Sequence, residues 1–129
     1  MTACGVWPRE RSLVAVVVDG AGRARSCSIA LTAEARWGLA QWLAAARADL
    51  VLEEALLEAD PIADIARRAG LTVWIAGPTL VAALRHAAGI SHRGARLSAA
   101  LLARLPAVPW LRQHLRRLGP ADPRQGQLL

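Results

Sequence analysis

Between residues 49 and 76 the chain reads strand, helix, strand, and that order leaves few folds open. Residues 49–53 form an apolar run of strand length. Asp60-Pro61 is an N-cap followed by proline at the first helical position. Ile62, Ile65, Ala66 and Ala69 then mark one helical face until Gly70 ends the helix, and residues 71–76 are a second apolar strand. A strand, a helix and a strand within roughly 30 residues make a crossover unit. Its strands lie parallel in one sheet, the connection is right-handed, and the strands' ends meet at one edge, where functional groups collect in such folds.

The segments before this unit predict antiparallel pairing. Residues 3–7 are a short apolar strand closed by Pro8 and the charged Arg9-Glu10-Arg11. Residues 13–18 are a β-branched run ending at Asp19-Gly20-Ala21-Gly22, a hairpin signal. Residues 23–31 alternate in part, as a third antiparallel strand with one covered face does. Thr32 caps a helix over 33–47 with Ala35, Leu39, Trp42, Leu43 and Ala46 on one stripe and Arg36 and Gln41 turned elsewhere. After the crossover, Gly77-Pro78-Thr79 opens a helix to about Ala88 and residues 89–93 are a loop. Residues 94–105 form an amphipathic helix through Leu97, Leu101 and Leu105, 109–118 a last helix, and 119–129 a frayed tail. Three antiparallel strands, then two parallel ones with helices between, followed by C-terminal helices, is the α/β order of an RNase H-like sheet. That domain is expected over 1–105, with 106–129 a C-terminal helix and tail, part of the same domain or an appendage to it.

At 129 residues, 54% hydrophobic and 20% charged, with mean hydropathy +0.28, the chain has enough apolar surface for one folded domain, which excludes a disordered or collagen-like chain. No apolar stretch reaches the roughly 18 residues of a membrane span, and the start has no basic region of the kind that opens an export signal. A soluble cytoplasmic protein with no membrane partner is expected. Cys4 and Cys27 have no metal-ligand spacing and are too few for a disulfide framework, so they read as buried free thiols.

Charge is distributed unevenly. All 16 basic side chains are Arg, and Lys, Asn, Phe and Tyr are absent, a joint bias toward GC-rich codons that makes arginine usage alone uninformative. Residues 1–79 carry 8 Arg against 9 acids, whereas residues 80–129 carry 8 Arg against Asp122 alone. A one-sided basic surface attracts polyanions by Coulomb steering and counterion release. DNA or RNA is therefore one partner class for that half; a solvated basic helix face or an acidic protein is the other.

Two-metal phosphoryl transfer needs three or four carboxylates converging on one sheet edge. Glu53 stands at such an edge, but residues 3–7 contain no acid and residues 65–121 contain none at all. Asp19, Glu54, Glu58 and Asp60 fall at turns and helix starts, where acids bond backbone N–H groups and complement the helix dipole. His86, His92 and His114 share no metal-ligand spacing with another His or Cys. His86 and His92 flank the Gly89 loop in basic surroundings, as phosphate contacts or as solvated surface groups. The serines include no nucleophile elbow, and Gly20-Ala21-Gly22 lies between strands, so it is no dinucleotide fingerprint. No metal or other cofactor is expected. Among the tryptophans, Trp42 and Trp74 fit core positions, while Trp37 and Trp110 lie off the main stripes as stacking platforms or, in preference, a protein interface.

The residue order up to about Arg104 resembles the N-terminal RNase H-like, Holliday-junction-resolvase-like domain of the DEDD-type insertion-sequence transposases. Gly5-Val6-Trp7, followed by the run from Ser12 to Val18 and Asp19-Gly20-Ala21-Gly22, is similar to that family's opening strand, turn and strand. Leu50-Val51-Leu52-Glu53 resembles its strand ending in Glu, and Gly70 to Pro78 its Gly-led strand closing in an Asn-Pro-like turn. The segment from Gly94 to Ala103 resembles the helix bearing Thr-Asp-x-x-Asp-Ala. The resemblance implies scaffold and ancestry. The family's first Asp falls at Trp7, its paired Asp positions fall at Ala95 and Ser98, and only the Glu remains, as the vestigial Glu53. The family also carries a C-terminal domain with a serine nucleophile, and no counterpart of it is expected within these 129 residues.

The reading that follows is a catalytically defective transposase-like domain, a pseudoenzyme holding structured RNA or branched DNA by its backbone. Arg85, Arg93, Arg96 and Arg104 are the candidate phosphate contacts. The alternative is a small α/β interaction module or homodimer that packs through its Trp-bearing helices and has no nucleic-acid role; an active nuclease is the third.

Overall fold

The computed structural model describes residues 1–91 and 93–121. A six-stranded mixed sheet runs in the order β3-β2-β1-β4-β5-β6. Strands β1 (Ala3–Pro8), β2 (Ser12–Val18) and β3 (Ala24–Ala30) form an antiparallel meander, and β4 (Asp49–Glu53) and β5 (Val73–Ala76) continue from β1 in parallel. The β2–β3 hairpin closes as its residue types require. The Asp19 carboxylate accepts the backbone N–H groups of Ala21 and Arg23 at 2.9 and 3.0 Å, and Gly22 takes φ 82°, a conformation costly for any side chain.

Helices cover both faces of the sheet. Helix α1 (Ala33–Ala45) is capped by the Thr32 hydroxyl, which accepts the Ala35 N–H. A short α2 (Glu54–Leu57) leads into α3 (Pro61–Arg68), capped by Asp60. Helices α4 (Pro78–Ala87) and α5 (Ala95–Arg104) follow, then a 3-10 turn, α6 (Pro109–Arg112) and β6 (Arg116–Leu118). Strand alternation divides the core. Cys4, Val6, Leu13, Ala15, Leu50, Leu52, Val73 and Ile75 meet Leu39 and Leu43 of α1 and Ile62 and Ala66 of α3. Ala3, Trp7, Val14, Val16, Val51 and Trp74 meet Val81 of α4, Ala99 and Leu102 of α5, and Leu111 of α6.

Helix α5 sits so close to β1 that a Cβ on Gly5 would overlap the Ala99 carbonyl and press on the Ala103 amide. Small residues on both elements permit this approach, which brings the start of α5 to the end of β1.

Several expectations are corrected. Residues 109–118 are one helical turn followed by a strand. The edge of β5 offers unpaired backbone groups, and Arg116, Arg117 and Leu118 pair with them antiparallel opposite Ile75, Trp74 and Val73. Arg117 lies over the Trp74 ring at 5.9 Å, and Arg116 is ion-paired with Glu58. Gly119 and Ala121 are held by Arg67, whose Nε donates to the Gly119 carbonyl at 2.8 Å and whose carbonyl accepts the Ala121 N–H at 2.9 Å; residues 122–129 of the expected tail lie outside the described residues.

On α1 the buried side is Arg36, Leu39, Ala40 and Leu43, not the stripe through Trp42 and Ala46. The helix packs against α3, where Arg36 makes a bidentate pair with Asp60 at 2.8 and 2.9 Å. Trp42, 46% exposed, overhangs the sheet margin. On α5 the inward face is Ala95, Ser98, Ala99, Leu102 and Ala103, because the close approach at Gly5 selects small residues; Leu97 faces solvent. Strand β3 lacks the expected covered face: only Ile29 is even half-buried, since β3 is the sheet's outer edge.

Candidate nucleic-acid interface

The crossover places the ends of β1 and β4 side by side. Their parallel pairing matches Gly5 with Val51, and the same register carried two residues on sets Trp7 level with Glu53. Alternation directs both toward the face covered by α5. Helix α5 starts against that edge, with Ala95 lining a cavity beside Trp7 and Ser98 fully buried one turn later. The structure thus gathers at one sheet edge the four positions that the sequence resemblance relates to catalytic acids.

A cation from the neighbouring helix stands among them. The Arg85 guanidinium lies over the Trp7 ring, 4.8 Å from its centroid, in cation–π geometry. Its Nε donates to the Ser98 hydroxyl at 2.8 Å and its Nη2 to the Ser91 carbonyl at 2.9 Å. Ser98 in turn donates to the Gly94 carbonyl at 2.7 Å, so α4, the following loop and α5 are tied together through one side chain. Glu53 is buried and points back to its own chain, its Oε1 accepting the Ala55 N–H at 3.0 Å as the cap of α2.

This donor set does not fit a divalent cation. An indole, a methyl and a hydroxyl offer no hard anionic oxygen, the one carboxylate is engaged as a cap, and a fixed guanidinium repels a cation. Among the described residues, no three His, Cys, Asp or Glu side chains converge to hold a metal. Four of the other acids have side-chain partners: Asp60 with Arg36, Asp64 with Arg68, Glu58 with Arg116, and Asp49 accepting the Trp74 indole N–H at 2.9 Å.

The four arginines singled out from sequence occupy different settings. Arg85 is half-buried, with two N–H groups committed internally. Arg93 and Arg96 are exposed at the start of α5. Arg104 lies about 12 Å farther along that helix at 1.5 Å per residue, its Nη1 donating to the Ala100 carbonyl. Arg93 and Arg96 therefore share a neighbourhood that Arg104 does not. Joining them are Arg9 and Arg11 of the β1–β2 turn, which sequence reasoning missed. An open cavity of ≈ 470 Å³ is lined by Trp7, Arg9, Arg11, Ser12, Arg93 and Ala95, with Glu10 lining it too. A more polar one of ≈ 260 Å³ is lined by Arg9, Arg96, Ser26 and Ser28. Summing charge over the first 79 residues hid Arg9 and Arg11; their position just past the first strand was the available signal.

His86 and His114 are exposed, and His92 lies outside the described residues. Trp74 is buried as expected, while Trp37 and Trp110 are exposed. Cys4 is buried, and burial pushes its thiol pKa well above the ordinary range. Cys27, expected to be buried, stands exposed on the edge strand, its pKa raised by partial desolvation.

No family model and no curated protein matches the sequence. Among solved structures, the chain is similar to Thermus thermophilus RuvC, with 18% identity over 92% of this chain and 100% of that one and a TM-score of 0.56. The fold is RNase H-like α/β, as the strand order implied.

Proposed function

We propose that the protein is a catalytically defective, transposase-like RNase H domain that holds structured RNA or branched DNA by its phosphate backbone. The observation carrying this reading is the pairing of Arg93 and Arg96 with Arg9 and Arg11 on the face where Trp7, Arg85 and Ser98 replace a metal-binding set. Guanidinium groups bind phosphate through forked N–H donors and do so without a metal. Arg85 uses its remaining N–H groups at the floor of this face, and Arg104 extends the basic surface along α5. Loss of the carboxylates removes the means of activating water or stabilising a leaving oxygen, so binding and cleavage part company.

The test is a salt series of filter binding with a four-way DNA junction and an RNA stem-loop, run beside a cleavage assay in Mg²⁺ and Mn²⁺. Affinity should fall linearly on a logarithmic salt axis and no product should form. No salt-dependent affinity at low ionic strength would end the binding claim. Metal-dependent cleavage lost in Glu53→Ala would end the claim of a catalytic defect.

A second reading, a protein-interaction module or homodimer, is favoured by one surface. Trp42 is exposed and lines an apolar groove of ≈ 360 Å³ together with Val17, Cys27, Ile29 and Leu39. A sizing column separates the readings, because a monomer at micromolar concentration disfavours the homodimer.

A further inference from the structure

We propose that Arg9 is the centre of a two-phosphate track, and that the ligand it receives is two successive phosphates of one nucleic-acid strand. This rests on the nucleic-acid reading above and names a subsite within it, away from the Trp7–Arg85–Ser98 cluster.

Arg9 alone among the described basic residues lines both cavities of this face. On one side it stands with Arg11, Ser12 and Arg93, and on the other with Arg96 and the seryl side chains of Ser26 and Ser28 on the edge strand. The two cavities therefore share Arg9 as a common wall. Arg9 is also fixed at its base. Pro8 restricts the chain before it, and its backbone N–H donates to the Ser12 carbonyl at 2.8 Å, closing the turn between β1 and β2. Its side chain is uncommitted: among the described residues the ion pairs are Arg36–Asp60, Arg68–Asp64 and Arg116–Glu58, so Arg9, Arg11, Arg93 and Arg96 have no acidic partner there. Glu10 also lines the larger cavity, whose three arginines, Arg9, Arg11 and Arg93, leave it net positive.

The chemistry favours a phosphodiester over an acidic peptide. Forked guanidinium donors suit both phosphate and carboxylate. Adjacent sites bridged by one residue suit an anion repeated at a fixed short interval along a polymer, and hydroxyl donors on an open strand edge suit a ligand running past the sheet margin. A single strand meets these demands, with its sugars and bases free to lie against the Trp7 wall of the larger cavity.

The experiment measures binding of a 5′-fluorescein-labelled dT12 to the full chain by anisotropy over a salt series. Arg9→Gln, Arg11→Gln, Arg96→Gln and Arg68→Gln, the last on α3 against the opposite face of the sheet, are compared, each first checked for an unchanged far-UV spectrum and melting midpoint. Each phosphate contact contributes about 0.7 to the slope of log affinity against log salt on a single strand. Arg9→Gln, Arg11→Gln and Arg96→Gln should each lower that slope by about 0.7, one charge apiece, and at fixed salt Arg9→Gln should lose the most affinity because it serves both sites. Arg68→Gln should leave it unchanged. If the parent chain binds dT12 and Arg9→Gln changes the slope no more than Arg68→Gln does, or loses no more affinity at fixed salt than Arg11→Gln and Arg96→Gln do, the track is wrong while the nucleic-acid reading stands. Equal competition by polyglutamate at matched charge overturns the choice of phosphate. Failure of the parent chain to bind dT12 overturns the track, and failure on the junction and stem-loop as well overturns both.

Discussion

At the residue scale, two glycines with opposite surroundings show how this architecture uses backbone access. Gly5 lets α5 lie against β1, and a methyl group there meets helix backbone that cannot move without displacing the buried Ala99–Leu102 turn. Gly38 lies inside α1 with open space where a Cβ would be. Gly5→Ala should destabilise the protein by about 3 kcal/mol through overpacking. Gly38→Ala should stabilise it by about 0.5–1 kcal/mol through reduced unfolded-chain entropy and better helix propensity. Urea titration of both variants checks the pair, and an undisturbed midpoint in Gly5→Ala would contradict the close approach. The two thiols make a second contrast. Cys27 on the edge strand should react with iodoacetamide in native buffer, slowly because its pKa is raised, whereas Cys4 should react only once denaturant opens the core. Mass spectrometry before and after unfolding reads this directly; double labelling in the native state would show that β1 is not where the structure puts it.

At the element scale, three helices end alike. Helices α1, α3 and α4 each close with a residue in the left-handed region: Arg47 at φ 54°, Gly70 at φ 94° and Gly89 at φ 70°. In each, the next amide reaches back five residues, Ala48 to Leu43, Leu71 to Ala66 and Ile90 to Arg85, at 2.9 to 3.0 Å. Two of these ends use glycine and one bears the steric cost of an arginine side chain. Arg47→Gly should therefore stabilise the chain by about 0.5 kcal/mol, the net of relieved left-handed strain over added unfolded-state freedom. Thermal melting compared with Arg47→Ala, which keeps the strain, is the check; a lower midpoint for the glycine variant would reject it. The same turns explain which elements could be read from sequence. Asp19 to Gly22, Asp60-Pro61, Gly70 and Gly77-Pro78 are local signals whose chemistry is complete within a few residues, and the elements they bound formed where expected. The faces of α1 and α5 were misread because tertiary partners decided them: Asp60 drew Arg36 inward, and Gly5 admitted the small-residue side of α5 in place of Leu97.

At the scale of the whole molecule, strand β6 and the arginine cluster share a reason for being missed: both are formed by residues distant in sequence. Residues 116–118 contain two arginines and one leucine and read as the end of a helix until β5 presents a free edge. Arg9 and Arg11 belong to a segment of balanced charge until the sheet sets them beside Arg93 and Arg96. What sequence could supply for the site was the absence of acids at Trp7, Ala95 and Ser98, whereas the placement of Arg85 between those positions needed three dimensions. The C-terminal segment also bears on how the chain is divided. Leu111 and Leu115 are buried in the same core half as Trp7 and Leu102, and β6 covers the flank of β5. A chain ended after Leu105 would lose both leucines and expose the edge carrying Val73 and Ile75. The lost apolar burial alone is about 5 kcal/mol, comparable to the whole stability of a domain this size. Such a truncation should unfold without a cooperative transition, or aggregate through the bared edge, when followed by circular dichroism and light scattering. If instead it melts cooperatively within a few degrees of the full chain, residues 106–121 are an appendage, and the sheet through β5 is stable by itself.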